Sequence, residues 1–341
     1  MKRGMSAVLL CLWIAGVAAA DPPQHEEVRQ IMGTLATVQV WAADSPTAQA
    51  AADSAFAAFV AVDSLMSTWN GNSPLSRLNA AVPGTWVPVG GEVCEVLSAS
   101  LEVARLTGGA FDPTVLPLVK LWGFRGGQPA LPDFLLLRAT LAEVGFGAVE
   151  VDETQARLHK SGLAVDLGGI AKGHALDRAE AALRRAGATG GVLDLGGNLK
   201  VFGTGPGREV GIVDPADPEA LLLIVPLSSG SVATSGQYER FVAIDGQHYG
   251  HILDPRTGWP VASGLSATII APEALWADAL ATAVVVLGME PGLALIESLP
   301  GIEGIFVGPE EVRLTSGLAP QFQHLTNSGL KSGPRPASHQ Q

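Results

Sequence analysis

A single stretch, Val165–Asp177, most constrains the fold of this chain. An apolar, strand-like segment runs into paired glycines and then into a helix-like segment, with Asp166 just before the glycines and Lys172 just after them. Glycine lets the backbone approach a ligand closely, and a helix N-terminus attracts anions. The spacing matches neither GxGxxG nor GxxxxGK[ST]. Taken alone, the stretch fits a phosphate site and an ordinary strand–turn–helix junction equally well.

The N-terminus has the pattern of a secretory signal peptide. Lys2 and Arg3 are basic, Met5–Val17 is apolar, and Ala18–Ala20 supplies the small residues that precede a cleavage site. The alternative is an uncleaved membrane anchor, but the apolar run is short for a transmembrane helix. The sequence therefore predicts that residues 1–20 are a cleaved signal peptide.

Composition restricts the classes of partner. The chain has 341 residues, 47% of them hydrophobic and 16% charged, which is typical of a folded protein. Its formal net charge is −12, and loss of Lys2 and Arg3 would make it more negative. Nucleic-acid binding depends on Lys and Arg neutralising phosphates, so that class is excluded. An anionic ligand would need local help from glycine amides, a lysine or a metal.

The order of predicted elements indicates an α+β fold. A strand over Thr34–Trp41, a hairpin over residues 190–202 and further strands to residue 270 are interspersed with helices, without a regular βαβ rhythm. Helices are predicted over residues 48–66, 87–107, 274–287 and from the glycine stretch to about 186. Residues 21–30 are predicted to be a loose leader, and Leu163–Asp166 a strand. Residues 326–341 are predicted to form a disordered tail, which leaves one domain over residues 21–325.

Asp278 and Thr282 lie four residues apart in a predicted helix. They therefore share one face and can offer two oxygens to one hard cation. The alternative is an ordinary surface Asp and a Thr that bonds back to a carbonyl. The neighbours are Ala, Leu and Val, which suggests a partly buried acid, and a buried acid needs a partner.

A second group of polar residues surrounds a Pro/Gly turn. His251 can serve as a general base near neutral pH, whereas Asp254 and Arg256 are predicted to be structural. Trp69 and Phe111 sit beside turns, where an aromatic ring either stacks on a planar ligand or packs in the core. Cys94, the one cysteine outside the signal peptide, lies in an apolar helical pattern and is predicted to be buried.

Taken in chain order, the short motifs of this sequence resemble the ApbE family, the FAD:protein FMN transferases of bacterial envelopes. The resemblance covers about residues 30–310. It rests on Met32–Thr34, Met66–Trp69 with Ser76–Asn79, Gly109–Thr114 with Leu121–Phe124, the glycine stretch, Gly196–Asn198, Ala233–Gly236, His251–Gly258 and Ala277–Thr282.

The resemblance implies a T-fold-like α+β architecture with a mixed or antiparallel sheet and packed helices. It also implies an Mg²⁺-dependent enzyme that transfers the FMN moiety of FAD to a Thr or Ser hydroxyl of an acceptor protein and releases AMP. His251 matches the family's proposed base, and Gly169 (through its carbonyl), Asp278 and Thr282 match its metal ligands. FAD-contacting positions of the family match Met32, Trp69, Ala110, Phe111, Asp112, Asp166, Lys172 and Ile252.

Trp69 departs from the family pattern, which often has tyrosine there, but either ring can stack. With the signal peptide, the resemblance implies a periplasmic protein, with inner-membrane association either through the acceptor or through an uncleaved signal. Two alternatives to the transferase stay open at this point. One is an FAD pyrophosphatase that gives FMN and AMP, and the other is a non-catalytic periplasmic FAD-binding protein.

Overall fold

The computed structural model describes residues 24–215, 217–236, 241–261, 264–318 and 322. The predicted signal peptide and C-terminal tail lie outside these residues, and the domain limits 21–325 stay a prediction. The α+β prediction is confirmed: antiparallel strands form one large sheet, and helices pack on it. Among the described residues, no helix has both the length and the apolar character that a bilayer crossing requires.

Eight strands form the main sheet, and every neighbouring pair in it is antiparallel. In their spatial order they are β1 (His25–Ile31), β2 (Thr34–Trp41), β6 (Gly190–Leu195), β7 (Asn198–Gly203), β10 (Gly230–Gly236), β13 (Ser266–Ala271), β14 (Glu303–Val307) and β15 (Val312–Leu314).

The first strand corrects the prediction of a loose leader over residues 21–30. β1 pairs with β2 along its whole length, from His25 opposite Val40 to Ile31 opposite Thr34. The segment is polar because it is an edge strand with three of its seven residues exposed and the others only partly buried, and charged side chains on an edge discourage pairing with other chains. Polarity alone therefore did not distinguish this strand from a loop.

Three small antiparallel sheets accompany the main one. One joins β3 (Val87–Pro88), β5 (Gln155–Leu158) and β4 (Val149–Val151), which follows a 3-10 turn at Phe146–Ala148. The others pair β8 (Arg208–Asp214) with β9 (Asp217–Leu227), and β11 (Phe241–Ile244) with β12 (Gln247–Gly250).

Eight helices occur among the described residues, and most of the predicted ones are present. They are α1 (Ser45–Met66), α2 (Pro74–Asn79), α3 (Gly91–Leu106), α4 (Leu116–Leu121), α5 (Phe134–Glu143), α6 (Ala171–Arg185), α7 (Ala274–Leu287) and α8 (Met289–Glu297).

One predicted boundary and one predicted strand were wrong. The helix expected from Val87 begins only at Gly91, because Val87–Pro88 pairs with β5 instead. The strand expected over Leu163–Asp166 is absent. That segment makes a single bridge, from Ala164 to Val115, and one further backbone hydrogen bond, from Asp166 N to the Pro113 carbonyl. Cys94 is buried on α3 as predicted, and burial raises the pKa of its thiol.

α6 and α7 cross at very close range, and this contact fixes the geometry of the site. A Cβ placed on Gly173 would lie 2.1 Å from the Ala274 carbonyl oxygen, so only glycine fits there. The Asp177 carboxylate accepts hydrogen bonds from the backbone N–H groups of Ala274 and Leu275, each at 2.9 Å. It thereby caps the start of α7 from a neighbouring helix, as a capping side chain does locally.

Candidate active site around the start of helix α6

The Asp278 carboxylate is the most deeply buried charge at this site. The residue is only 2% exposed. One carboxylate oxygen accepts from the Lys172 ammonium at 2.9 Å, and the other accepts from the Gly173 backbone N–H at 3.0 Å. A buried carboxylate is tolerated only when it is paired and hydrogen-bonded. The first turn of α6 supplies both partners, together with the positive end of its helix dipole.

Thr282 lies one turn further along α7 and brings the glycine stretch into contact with it. Its hydroxyl donates to the Asp278 carbonyl at 3.3 Å and lies 3.4 Å from the Ser235 hydroxyl. A Cβ built on Gly169 would lie 3.5 Å from Thr282 Oγ1 and 3.2 Å from the Phe111 ring. The structure therefore brings together Gly169, Asp278 and Thr282, which are distant in sequence.

The donor atoms of these three residues suit a magnesium ion that is bound partly by the protein and partly by its substrate. Among the described residues, no group of three or more His, Cys, Asp or Glu side chains forms a dedicated metal cage. The site instead offers one carboxylate, one hydroxyl and the Gly169 backbone, all of them hard oxygen donors. Mg²⁺ is commonly held by one or two carboxylates together with substrate phosphates and water. The donor set therefore suits Mg²⁺ that arrives with a phosphate ligand.

Asp166 is held by a second set of contacts before the paired glycines. Its carboxylate accepts from Thr68 Oγ1 at 2.9 Å, from the Arg125 guanidinium at 2.8 Å and from the Gly168 N–H at 2.8 Å.

The preceding residue is clamped by Asn79, whose amide bonds to both the N–H and the carbonyl of Val165, at 2.7 and 2.8 Å. A side chain thus takes the place of a neighbouring strand.

Arg125 is the functional candidate that the sequence analysis missed. Its guanidinium is nearly buried, lies 4.3 Å from the centre of the Trp69 ring and also bonds to Thr68 and Asp166. Trp69 is 74% exposed, so much of its ring stays accessible to a planar ligand. The available signal was a lone arginine in a Gly-rich loop, but its distance from Asp166 along the chain concealed the pair.

Four other predicted FAD contacts lie in two segments: Met32 in the β1–β2 turn, and Ala110, Phe111 and Asp112 in the segment before α4. Met32 has a positive φ of 53° in the β1–β2 turn and packs against the core, and Ala110 and Phe111 are buried. The Asp112 carboxylate accepts from the N–H and hydroxyl of Thr114 and from the Phe146 N–H. Burial raises the pKa of this carboxyl, against the lowering effect of those hydrogen bonds. Asp112 therefore has a clear structural role, and its contact with FAD stays a prediction.

His251 and Ile252 directly follow β12. His251 is half-buried and Ile252 is buried, and the Ile252 carbonyl accepts from the Val261 N–H. In the turn that follows, Arg256 donates two side-chain hydrogen bonds to Asp254, which confirms their predicted structural role. The hydrogen bonds between Arg256 and Asp254 do not involve His251, whose assignment as the base stays a prediction.

Comparison with known proteins identifies relatives over nearly the whole described chain. The sequence profile described as "ApbE family" matches residues 32–306. A Treponema pallidum protein named FAD:protein FMN transferase is 32% identical, with 93% of this chain and 95% of that protein aligned.

Solved structures agree with the sequence comparison. An ApbE protein from Thermotoga maritima superposes with a TM-score of 0.79 at 31% identity, covering 88% of this chain and 98% of that one. The apo flavinyl transferase ApbE of Pseudomonas stutzeri superposes with a TM-score of 0.76 at 31% identity, covering 87% and 97%. The predicted architecture is therefore that of the ApbE flavin transferases.

The Lys172–Asp278 pair gives the first testable prediction. Lys172→Met should lower the free energy of unfolding by about 1–3 kcal/mol, because Asp278 would stay buried with one partner removed. The double variant Lys172→Met/Asp278→Asn should lose less than the sum of the two single variants, since it leaves no unpaired charge. Urea unfolding of the four proteins measures this coupling. Strictly additive losses would show that the pair contributes nothing as a pair.

Proposed function

The chain belongs to the ApbE family of flavin transferases, and we propose that it transfers the FMN moiety of FAD to a Thr or Ser hydroxyl of an acceptor protein. In this reaction the hydroxyl oxygen attacks the phosphorus next to the riboflavin portion. The bond from that phosphorus to the bridging oxygen breaks, AMP leaves with that oxygen, and the acceptor keeps FMN through a phosphoester. The hydroxyl proton passes to a base.

The observation that carries this proposal is the convergence of Gly169, Asp278 and Thr282 at the start of α6. Attack on a diphosphate requires neutralisation of the charge on its non-bridging oxygens and on the leaving phosphate. Mg²⁺ held by these oxygen donors would supply most of that neutralisation. Lys172 is the second cation at the site. The backbone N–H groups in the first turn of α6 add partial positive charge there as well.

Trp69 and Arg125 form a second region of contact, which suits a planar ring of the substrate. The exposed ring of Trp69 suits a planar group such as the isoalloxazine or the adenine of FAD. The Arg125 guanidinium lies against one face of the Trp69 ring and also donates a hydrogen bond to the Asp166 carboxylate. The Trp69 ring is therefore an ordered platform before substrate binds. An ordered platform lowers the entropic cost of binding.

His251 is the residue that we assign as the base. A Thr or Ser hydroxyl is a weak nucleophile, and an imidazole with a pKa near neutrality can accept its proton as the bond to phosphorus forms. His251 is half-buried at the end of β12, which leaves it accessible to an approaching acceptor chain.

The exported location is part of the same proposal. The predicted signal peptide would carry the protein to the periplasm, where acceptor proteins facing that compartment are available. Association with the inner membrane would then follow either from the acceptor or from an uncleaved signal.

A transfer assay tests the proposal against its two alternatives. The protein is mixed with FAD, Mg²⁺ and candidate acceptor domains, and intact masses are measured. Transfer predicts an acceptor heavier by one FMN group and an equal amount of AMP. Free FMN and AMP without a heavier acceptor would indicate a pyrophosphatase instead, and intact FAD would indicate a binding protein.

Asp278→Ala in that assay should reduce metal-dependent transfer roughly 100-fold, because the one carboxylate of the proposed metal site is lost. The matched control is Asp53→Asn on the exposed face of α1, which should transfer at the normal rate. Thermal unfolding of both variants checks that the fold is retained. Normal turnover of a folded Asp278→Ala protein at limiting Mg²⁺ would contradict the metal assignment.

His251→Ala should bind FAD normally but transfer FMN about 100-fold more slowly, because removal of a general base affects the chemical step rather than substrate binding. His248→Ala is the control, since His248 is an exposed histidine of β12 three residues away. Single-turnover rates and FAD titrations separate the two effects. If His251→Ala transferred at the wild-type rate, another group would have to be the base.

A further inference from the structure

Asn198 opens β7 and has an unexplained buried donor. The residue is 3% exposed, and its Nδ2 is the one fully buried side-chain N or O atom among the described residues that lacks a hydrogen-bond partner. Leaving a buried donor unpaired is costly, and native structures rarely do so without a reason. Gly196–Asn198 is one of the short motifs that carry the family resemblance, and the proposed function gives it no role.

Strand alternation shows which way this side chain points. Asn198 and Lys200 are two residues apart and therefore share a face of β7. The Lys200 ammonium donates to Asp177 of α6 at 2.8 Å and to the Pro272 carbonyl at 2.7 Å, so that face is the helix side of the sheet. The Asn198 amide consequently points toward the α6–α7 layer.

Two further contacts show which part of α6 lies above it. Phe202, four residues along β7, lies under Arg184 near the end of α6, at 4.3 Å from the guanidinium to the ring centre. Lys200 lies under the middle of the helix, at Asp177. Continuing this progression by one more pair of residues places Asn198 toward the start of α6, where Lys172 and Gly173 hold Asp278.

The neighbouring strand leads to the same place. β10 pairs with β7 with Ser231 opposite Lys200 and Val232 opposite Leu199, and one further step in this register would set Ala233 beside Asn198. Ser235, two residues further on the same face, lies 3.4 Å from the Thr282 hydroxyl. Adjacent strands are about 4.8 Å apart. Asn198 therefore lies on the strand next to β10, on the face of the sheet where Ser235 approaches Thr282 of the proposed metal site.

We propose that Asn198 is a further substrate-binding residue, whose Nδ2 donates a hydrogen bond to a non-bridging oxygen of the FAD diphosphate. The inference rests on the proposed function, because it takes the diphosphate to lie beside Asp278 and Thr282. The unpaired donor of the free protein would gain its missing partner when FAD binds, and a hydrogen bond to a charged oxygen is a strong one.

The test exploits the difference between an unpaired and a paired amide. Asn198→Leu removes a buried donor that has no partner, so the midpoint of thermal unfolding should stay the same or rise by ~2 °C. The same variant should bind FAD about tenfold more weakly. Asn79→Leu is the matched contrast, because both hydrogen bonds of its amide to Val165 would be lost and the midpoint should fall.

Ligand fragments locate the contact. In isothermal titration calorimetry with Mg²⁺ present, Asn198→Leu should lower the affinities for FAD and for ADP by similar factors. Its affinity for riboflavin should equal that of the wild type. Weaker riboflavin binding with unchanged ADP binding would overturn the diphosphate assignment, and unchanged FAD affinity would overturn the inference altogether. A lower unfolding midpoint, or failure to fold, would make Asn198 a structural residue and contradict the inference.

The wild-type protein in the same titrations separates this inference from the proposed function. Wild-type protein that binds FAD and labels an acceptor, together with an Asn198→Leu variant that binds FAD equally well, would refute only the role of Asn198. Wild-type protein that does not bind FAD would refute the proposed function and the inference with it.

Discussion

Burial of the Asp278 carboxylate is the constraint on which the rest of the site depends. An ionised group at that depth needs compensating partners, and the start of α6 provides them through Lys172 and the Gly173 N–H. These bonds require α6 and α7 to approach closely. The approach in turn requires glycine at 173 and a cap for α7, which Asp177 supplies. One buried charge thus accounts for several features of the glycine stretch.

The same arrangement connects stability with the proposed chemistry. In the free protein Lys172 neutralises Asp278, and a divalent cation would take over that task when it arrives with a phosphate ligand. Lys172 would then be available to the phosphate oxygens, where a second positive charge would assist departure of AMP in the proposed transfer. An acidic protein can in this way hold an anionic substrate, because the positive charges are local and the negative charge of −12 is spread over the whole chain.

The sequence predicted the parts of the site that depend on local pattern. The helical spacing of Asp278 and Thr282, the strand over Thr34–Trp41 and the glycine turn before α6 were all visible in it. Contacts between residues that are distant in the sequence could not be predicted from it. Arg125 meets Asp166 only through the fold, and β1 is identified as a strand only by its pairing with β2. Membership of the ApbE family, by contrast, depends on the order of many weak motifs and was recognisable before the structure.

The most direct test of the account is the position of the metal. Crystals of the protein grown with FAD and Mn²⁺, a substitute for Mg²⁺ with measurable anomalous scattering, would locate the ion independently of any activity. The account predicts one anomalous peak within about 2.5 Å of the Asp278 carboxylate and the Thr282 hydroxyl, with the Gly169 carbonyl and a phosphate oxygen completing the set. A peak elsewhere, with Lys172 still bonded to Asp278 in the FAD complex, would contradict it.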